Sequence, residues 1–221
     1  MDYSAAIKRP FSDWKKLLVG MVLYVVPFLN ILTGMFAGGY LFRCMQSALK
    51  NNLALPEWDK WGELFTNGLL TALIGTLYAL PALILIIVFA GAALAGFLAN
   101  ASLQNFGGIF AAFGMLFIGL LALILLTIYL VPSAILQFAR TGKFGAAFAF
   151  GKVFNTAFTG SYFLVWLVAI GISIIIGIIG LLIGNALQFT IILPFVVWAV
   201  LNFCIGVTTM TLFGMAGAEL K

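Results

Sequence analysis

Histidine is absent from this chain, and charge is scarce: 11 Lys or Arg and 6 Asp or Glu among 221 residues. Charged residues make up 8% of the composition, whereas a soluble globular protein typically carries about 25%. Hydrophobic residues make up 64%, with a mean hydropathy of +1.21. This shortage of charge excludes a soluble globular domain and predicts one integral membrane domain over residues 1–221.

The missing residue types also limit the chemistry. Without histidine, the commonest acid–base group and metal ligand is lost, and no GxSxG, HExxH, Walker A or GxGxxG pattern occurs. The two cysteines, Cys44 and Cys204, lie in or beside apolar runs without CxxC spacing, which favours packing over a disulfide or metal pair. We therefore predict that the protein is not an enzyme and has no catalytic residues, cofactor or metal.

Long stretches without any charge set the number of membrane crossings. Residues 17–42, 64–139 and 153–218 contain no Asp, Glu, Lys or Arg. A helix needs about 20 apolar residues to cross a hydrocarbon core of roughly 30 Å. The two longer tracts therefore predict two spans each, with polar, uncharged turns at residues 100–108 and near Gly184 and Asn185.

The charges between these tracts predict the orientation. Lys and Arg collect on the cytoplasmic side of a membrane, which places residues 50–67, residues 140–152 and both termini there. Segment 17–49 then crosses an even number of times, and Pro27 and Asn30 mark its turn. The predicted fold is an all-α polytopic cell-membrane protein with six transmembrane helices in three hairpins. The count is five if residues 14–50 form one kinked span.

An internal repeat connects two of the charged segments. The pattern K-[WF]-G-x-x-F-x-x-G occurs at residues 60–68 and again at 143–151. Repeats of this kind indicate duplicated structural units. They predict repeat-like halves at about 17–98 and 108–184, followed by a final span at 187–216.

Short amphipathic helices are predicted in the cytoplasmic interface at residues 57–66 and 143–153, with the basic segment 2–16 beside them. At helical spacing, aromatic residues occupy one face and charges the other. The residues predicted to face lipid are Trp14, Lys15, Lys16, Trp58, Lys60, Trp61, Phe65, Arg140, Lys143, Phe144, Phe148 and Lys152. The first copy alone has carboxylates, which form a candidate partner site: Glu57, Asp59 and Glu63.

Pairs of small residues predict close helix packing. Gly34 and Gly38 form one GxxxG motif, and Gly180 and Gly184 form another. This spacing lets helix backbones approach each other closely in membranes. The spacing leaves open whether the pairs join spans of one chain or two protomers.

Three segments of the first 85 residues support a family resemblance: KRPFSDWKKLLVG, GGYLFR and LPEWDKWGELFTNGLL. Together they resemble the prokaryotic membrane family Domain of Unknown Function 4013, with VPSAILQFARTGKFGAAFAF as a second anchor. The resemblance implies a multi-pass membrane protein. It supplies no activity, cofactor or catalytic residue.

Three functions remain open on the sequence. The favoured one is a non-enzymatic membrane protein that organises or interacts with the bilayer as a homo-oligomer, with membrane lipids, including anionic ones, as partners and no nucleic acid. Basic interfacial segments support it, because they attract anionic lipids. A channel or carrier for a small neutral solute requires a continuous polar path. An accessory subunit would bind a cytoplasmic protein through Trp58 or Trp61.

Overall fold

The computed structural model describes residues 2–25, 30–98, 106–190 and 192–220. Within these ranges every regular element is a helix, and no strand occurs. In chain order the elements are α1 (Tyr3–Lys8), a first 3-10 helix (Arg9–Ser12), α2 (Trp14–Val25), α3 (Asn30–Leu49), α4 (Trp61–Leu98), α5 (Phe106–Thr141), a second 3-10 helix (Phe144–Phe148), α6 (Phe150–Ala157), α7 (Gly160–Ala186) and α8 (Ile192–Glu219).

Local polar residues begin several of these helices. The Asp13 carboxylate accepts hydrogen bonds from the backbone N–H groups of Lys15 and Lys16, at 3.0 and 3.2 Å, and thereby caps α2. The Thr159 hydroxyl caps α7 by accepting from the backbone N–H of Tyr162. Caps of this kind satisfy amide groups that have no partner inside the helix. The start points therefore follow from sequence signals that are local.

Four helices are long and apolar enough to cross a membrane: Trp61–Ala92, Leu116–Thr141, Gly160–Ala186 and Ile192–Glu219. The shortest has 26 residues, more than the roughly 20 that a crossing requires. Many of their large apolar side chains are exposed, as expected where hydrocarbon is the solvent. These helices confirm the all-α membrane class.

The six-span count is not confirmed by these lengths. Helix α2 has 12 residues, which span about 18 Å at 1.5 Å each, and α3 includes Arg43 near its end. Neither is among the four spanning candidates. Six spans, and five as the alternative, therefore remain predictions.

The predicted turns lie partly outside the described residues. This holds for Pro27 and for residues 100–105 of the turn predicted at 100–108; residues 106–108 are not a turn, because α5 begins at Phe106. Asn30 begins α3. The turn placed near Gly184 and Asn185 is wrong by a few residues, because α7 continues to Ala186 and residues 187–190 form the turn.

The buried core lies at one end of the helices. Rings of α3 and α5 stack there, Phe42 on Phe138 at 4.6 Å between centroids, and Tyr162 of α7 contacts Phe213 of α8 at 5.3 Å. We call this end, where α2 and α4 begin and α3, α5 and α8 finish, the charged end, because the described charged residues lie in its segments. The end where α7 turns into α8 is the uncharged end.

Helices α3 and α4 meet backbone to backbone. A Cβ added to Gly39 would overlap the carbonyl of Leu64, and one added to Gly68 would overlap the carbonyl of Met35. This contact therefore requires glycine at both positions. The spacing argument pointed instead to the neighbouring Gly38.

The four glycines of the predicted GxxxG motifs differ in their surroundings. A Cβ on Gly38 would lie 3.7 Å from the Gly68 backbone, and one on Gly180 would lie 2.7 Å from the Leu201 side chain. A Cβ on Gly34 or Gly184 would have no neighbour within 4 Å. One member of each pair therefore packs within the chain.

The separate interfacial helix predicted for residues 57–66 is wrong. Residues 50–60 form a loop, and α4 begins directly at Trp61. Lys60 adopts a φ of +48°, a left-handed conformation that cannot continue a helix. The second copy of the repeat differs, since residues 143–153 include the second 3-10 helix and the start of α6.

Candidate functional site

Two ion pairs join the loop between α3 and α4 to its neighbours, and a third joins α3 to the start of α4. Lys16 Nζ lies 2.7 Å from Glu57 Oε1. Arg43 contacts both other carboxylates, with Nη1 2.5 Å from Asp59 Oδ1 and Nη2 3.6 Å from Glu63 Oε2. The three residues predicted as a partner site are therefore already paired with cations of the same chain.

The pairing also shifts protonation near α2. The hydrogen bond to Glu57 raises the pKa of the Lys16 ammonium. The two backbone N–H groups at the start of α2, that of Lys16 first, hold the pKa of the Asp13 carboxyl below its usual value. Both groups therefore remain charged across the physiological pH range.

Trp58 fixes the loop to the helices rather than facing lipid. Its ring stacks on Tyr40 of α3, with centroids 3.9 Å apart and an interplanar angle of 7°. The indole Nε1 donates to the backbone carbonyl of Lys16 at 3.0 Å, and the Tyr40 hydroxyl donates to the carbonyl of Pro56 at 3.1 Å. Trp61, three residues later, is 45% exposed.

Arg9 is the most deeply buried charged residue in the part of the chain that the structure describes, with 3% of its surface exposed. Its guanidinium donates five hydrogen bonds, to the carbonyls of Cys44, Asn52 and Ala54 and to the hydroxyls of Ser47 and Thr211. Burial lowers the pKa of Arg9, but an arginine remains protonated at any physiological pH. All five acceptors are neutral. The residue joins the N-terminal segment to α3, α8 and the loop, and sequence reasoning considered only its charge.

Five lysines at the charged end are exposed and form no salt bridge among the described residues: Lys8, Lys15, Lys50, Lys143 and Lys152. The nearby carboxylates are already committed, because Asp2 and Asp13 cap helices and the loop carboxylates have partners. The exposed surface of this end is therefore positively charged.

The residues predicted to face lipid fall into two groups. The exposed ones are Trp14, Lys15, Lys60, Trp61, Lys143 and Lys152. The partly buried ones are Lys16, Trp58, Phe65, Arg140, Phe144 and Phe148. Those of the second group contact protein: Arg140 Nη2, for example, donates to the carbonyl of Gly217 at 2.7 Å.

An apolar cavity of about 260 Å³ lies between α4, α5 and the start of α6. Phe148, Phe150 and Phe154 line it from the connecting segment. Its polar side chains are paired within the protein: the Tyr78 hydroxyl donates to the carbonyl of Ala147 at 2.7 Å, and Thr127 bonds to its own helix. The walls therefore offer hydrocarbon to an occupant.

No group of three or more cysteine or acidic side chains comes together among the residues that the structure describes. Cys44 and Cys204 are both free and buried.

The sequence comparisons match this arrangement to one family. The model of the family described as "Protein of unknown function (DUF4013)" matches residues 21–185. The chain belongs to this family. The match confirms the family resemblance and includes three of the four quoted segments, because KRPFSDWKKLLVG lies before residue 21. It covers α3 to α6, and α7 as far as Asn185. No curated protein and no solved structure matches the chain. Membership of DUF4013 specifies no activity, so a function must be argued from the geometry.

Proposed function

We propose that this DUF4013 protein is a non-enzymatic integral membrane protein that interacts with the bilayer and organises it by holding anionic headgroups at its charged end. The supporting observation is the set of five exposed lysines without salt bridges. None of the five forms a salt bridge with a described carboxylate. Their charge is available to a phosphate or carboxylate from outside.

The electrostatic attraction between these lysines and an anionic membrane surface is large enough to enrich anionic lipids around the protein. A basic residue near an anionic membrane surface contributes about 1 kcal/mol, so five would contribute at most about 5 kcal/mol together. Salt screens exposed charges over about 8 Å at physiological ionic strength. The effect therefore requires headgroups in direct contact with the lysines.

Exposed tryptophans support a position at the membrane surface. Trp14 is 68% exposed and Trp61 is 45% exposed, and indole rings favour the headgroup depth. Because basic residues remain on the cytoplasmic side, we assign the charged end and both termini to the cytoplasmic side of the cell membrane. Helices α2 and α3 then form a short first hairpin beside the four longer spans.

The apolar cavity beside α6 would accept an acyl chain, since its polar side chains are satisfied. The exposed apolar faces of α4, α5 and α7 leave room for further copies of the chain within the bilayer. A homo-oligomer is therefore part of the proposal. Fluorescence energy transfer between labelled chains in vesicles would test it.

The lipid test uses nanodiscs assembled from phosphatidylcholine and phosphatidylglycerol. We expect phosphatidylglycerol to be enriched around the full chain. The triple variant K15Q/K143Q/K152Q should lose about 3 kcal/mol of attraction, which is roughly a 100-fold weaker enrichment.

The matched control is Lys60→Gln, because Lys60 is equally exposed but lies 3.5 Å from Glu63. It should leave the enrichment unchanged. Equal enrichment around the triple variant and the native chain would overturn the proposal.

A further inference from the structure

A cavity lined partly by polar side chains lies far from the lysines. A cavity of about 490 Å³ separates α7 from α8 at the uncharged end. Gly177, Gly180 and Gly184 line it from α7, where the absent side chains leave space, and Leu181 and Leu201 form apolar walls. Three amide side chains also line the cavity: Asn185, Gln188 and Asn202.

The amides retain unused hydrogen-bonding groups. Gln188 Nε2 donates to Asn185 Oδ1 at 2.7 Å, and Asn202 Nδ2 donates to the carbonyl of Trp198 at 2.8 Å. Among the described residues, no partner is found for the side-chain oxygens of Gln188 and Asn202, the side-chain nitrogen of Asn185 or the indole N–H of Trp198. Donors and acceptors therefore remain available beside the cavity.

The depth of Asn202 makes its unpaired side-chain oxygen costly. Asn202 lies ten residues after Ile192, where α8 begins, or about 15 Å along the helix. That distance is half of a hydrocarbon core of roughly 30 Å. An amide without a partner is unfavourable in such a medium, so an occupant that supplies hydrogen bonds would stabilise the site.

The surroundings define the chemistry of that occupant. No described charged residue lies in residues 153–190 or 192–218, so an ionic group would find no counter-charge. The walls are mostly apolar, with a few polar groups, as in most small-molecule sites. An uncharged hydroxyl that is attached to hydrocarbon matches both the polar groups and the apolar walls.

We propose that this cavity binds a neutral glycerolipid with a free hydroxyl, of the diacylglycerol type. The hydroxyl donates to the side-chain oxygen of Asn202, and the chains lie along Leu181 and Leu201 toward the bilayer. A free polyol shares the hydroxyl chemistry but lacks the chains. The site is independent of the lysines at the charged end.

The test uses the full chain in phosphatidylcholine nanodiscs that contain a small fraction of diacylglycerol. Native mass spectrometry measures how much diacylglycerol the protein retains. Gly177→Leu should fill the cavity and reduce retention at least tenfold. Gly171→Leu is the matched control, because a Cβ at either glycine would meet no atom within 4 Å and only Gly177 lines the cavity.

Asn202→Leu provides a second variant of similar size. It removes one amide and should reduce retention about tenfold, the equivalent of one hydrogen bond, while Asn155→Leu on α6 should have no effect. The variant K15Q/K143Q/K152Q should retain diacylglycerol fully, which separates this inference from the anionic-lipid proposal.

Three outcomes would overturn the inference. One is an absence of retention by the native chain, and another is equal retention by Gly177→Leu and Gly171→Leu. The third is saturable binding of glycerol in buffer without retention of diacylglycerol, which would assign the cavity to a free polyol.

Discussion

Replacing Arg9 by methionine should loosen the charged end. The substitution keeps an unbranched side chain of similar length and removes the guanidinium. Ser47 and Thr211 would keep the bonds that their hydroxyls donate to the carbonyls of Cys44 and Val207. The carbonyls of Asn52 and Ala54 would lose the donor that holds the loop.

The size of the effect follows from the number of bonds. Four of the five bonds are 3.0 Å or shorter, and a hydrogen bond to a charged group contributes about 1.5–3 kcal/mol. Their sum is opposed by the cost of burying the guanidinium, which is several kcal/mol. The difference between the hydrogen-bond energy and the burial cost leads us to expect that Arg9→Met destabilises the charged end by about 3 kcal/mol.

The alkylation rate of Cys44 measures this loss locally. Cys44 is fully buried, and its carbonyl accepts a bond from Arg9, so a maleimide reaches the thiol only when the charged end opens. In a Cys204→Ala background, Arg9→Met should accelerate labelling by on the order of 100-fold. The labelling rate of Arg9→Lys should lie between those of the native chain and Arg9→Met, because an ammonium has fewer donors in a different geometry.

Lys8→Gln is the control, since Lys8 is adjacent, exposed and without a salt bridge. It should leave the labelling rate unchanged. If Arg9→Met labels as slowly as the native chain, the five hydrogen bonds do not hold this end together.

Three further outcomes are expected. Gly39→Ala should lower the melting temperature in detergent, at a cost of about 2 kcal/mol or more for overpacking, whereas Gly34→Ala should be tolerated; equal melting temperatures would contradict the backbone contact. Trp58→Ala should cost about 3 kcal/mol in the same assay and Asp59→Asn less than about 1 kcal/mol, and the reverse order would show that the ion pairs, not the stacked ring, fix the loop. Asp13 has a lowered pKa, so its contribution to stability is complete above the usual value of about 3.9 and is lost as the pH falls through the folded value. Asp13→Asn should therefore flatten the acid limb of a melting-temperature profile, and an unchanged profile would count against the cap.

The structure changes how a partner protein should be sought. Trp58 stacks on Tyr40 and bonds to the carbonyl of Lys16, so its loss would disturb the fold as well as any interface. Trp61 is 45% exposed. Trp61→Ala is therefore the cleaner variant for a co-purification experiment.

Sequence reasoning performed best where the signal is additive along the chain. Hydropathy sums over neighbouring residues, so the long apolar helices α4, α5, α7 and α8 were predictable. Predictions from the sequence were less accurate where the backbone conformation overrides the pattern of side chains. The alternation of aromatics and charges predicted a helix at residues 57–66, yet Lys60 at φ +48° separates the loop from α4.

The candidate sites were harder to predict, because their members are distant in sequence. Glycine spacing pointed to Gly38, but only the docking of α4 showed that Gly39 and Gly68 are the closest approach. The amide cavity gave a weaker signal, since Asn202 and Gln188 are isolated polar residues within apolar stretches of the sequence.

The amino-acid sequence is sufficient to assign this chain to the DUF4013 family as a membrane protein with its charges gathered in a few segments. Both properties reside in composition and in short local patterns. The packing of the helices determined which charged side chains are buried or paired and which remain exposed. Arg9 is buried on neutral acceptors, Glu57, Asp59 and Glu63 are paired, and five lysines face outward. Charge pairing falls off steeply with distance, so it depends on which helices become neighbours, and that is settled only when they pack.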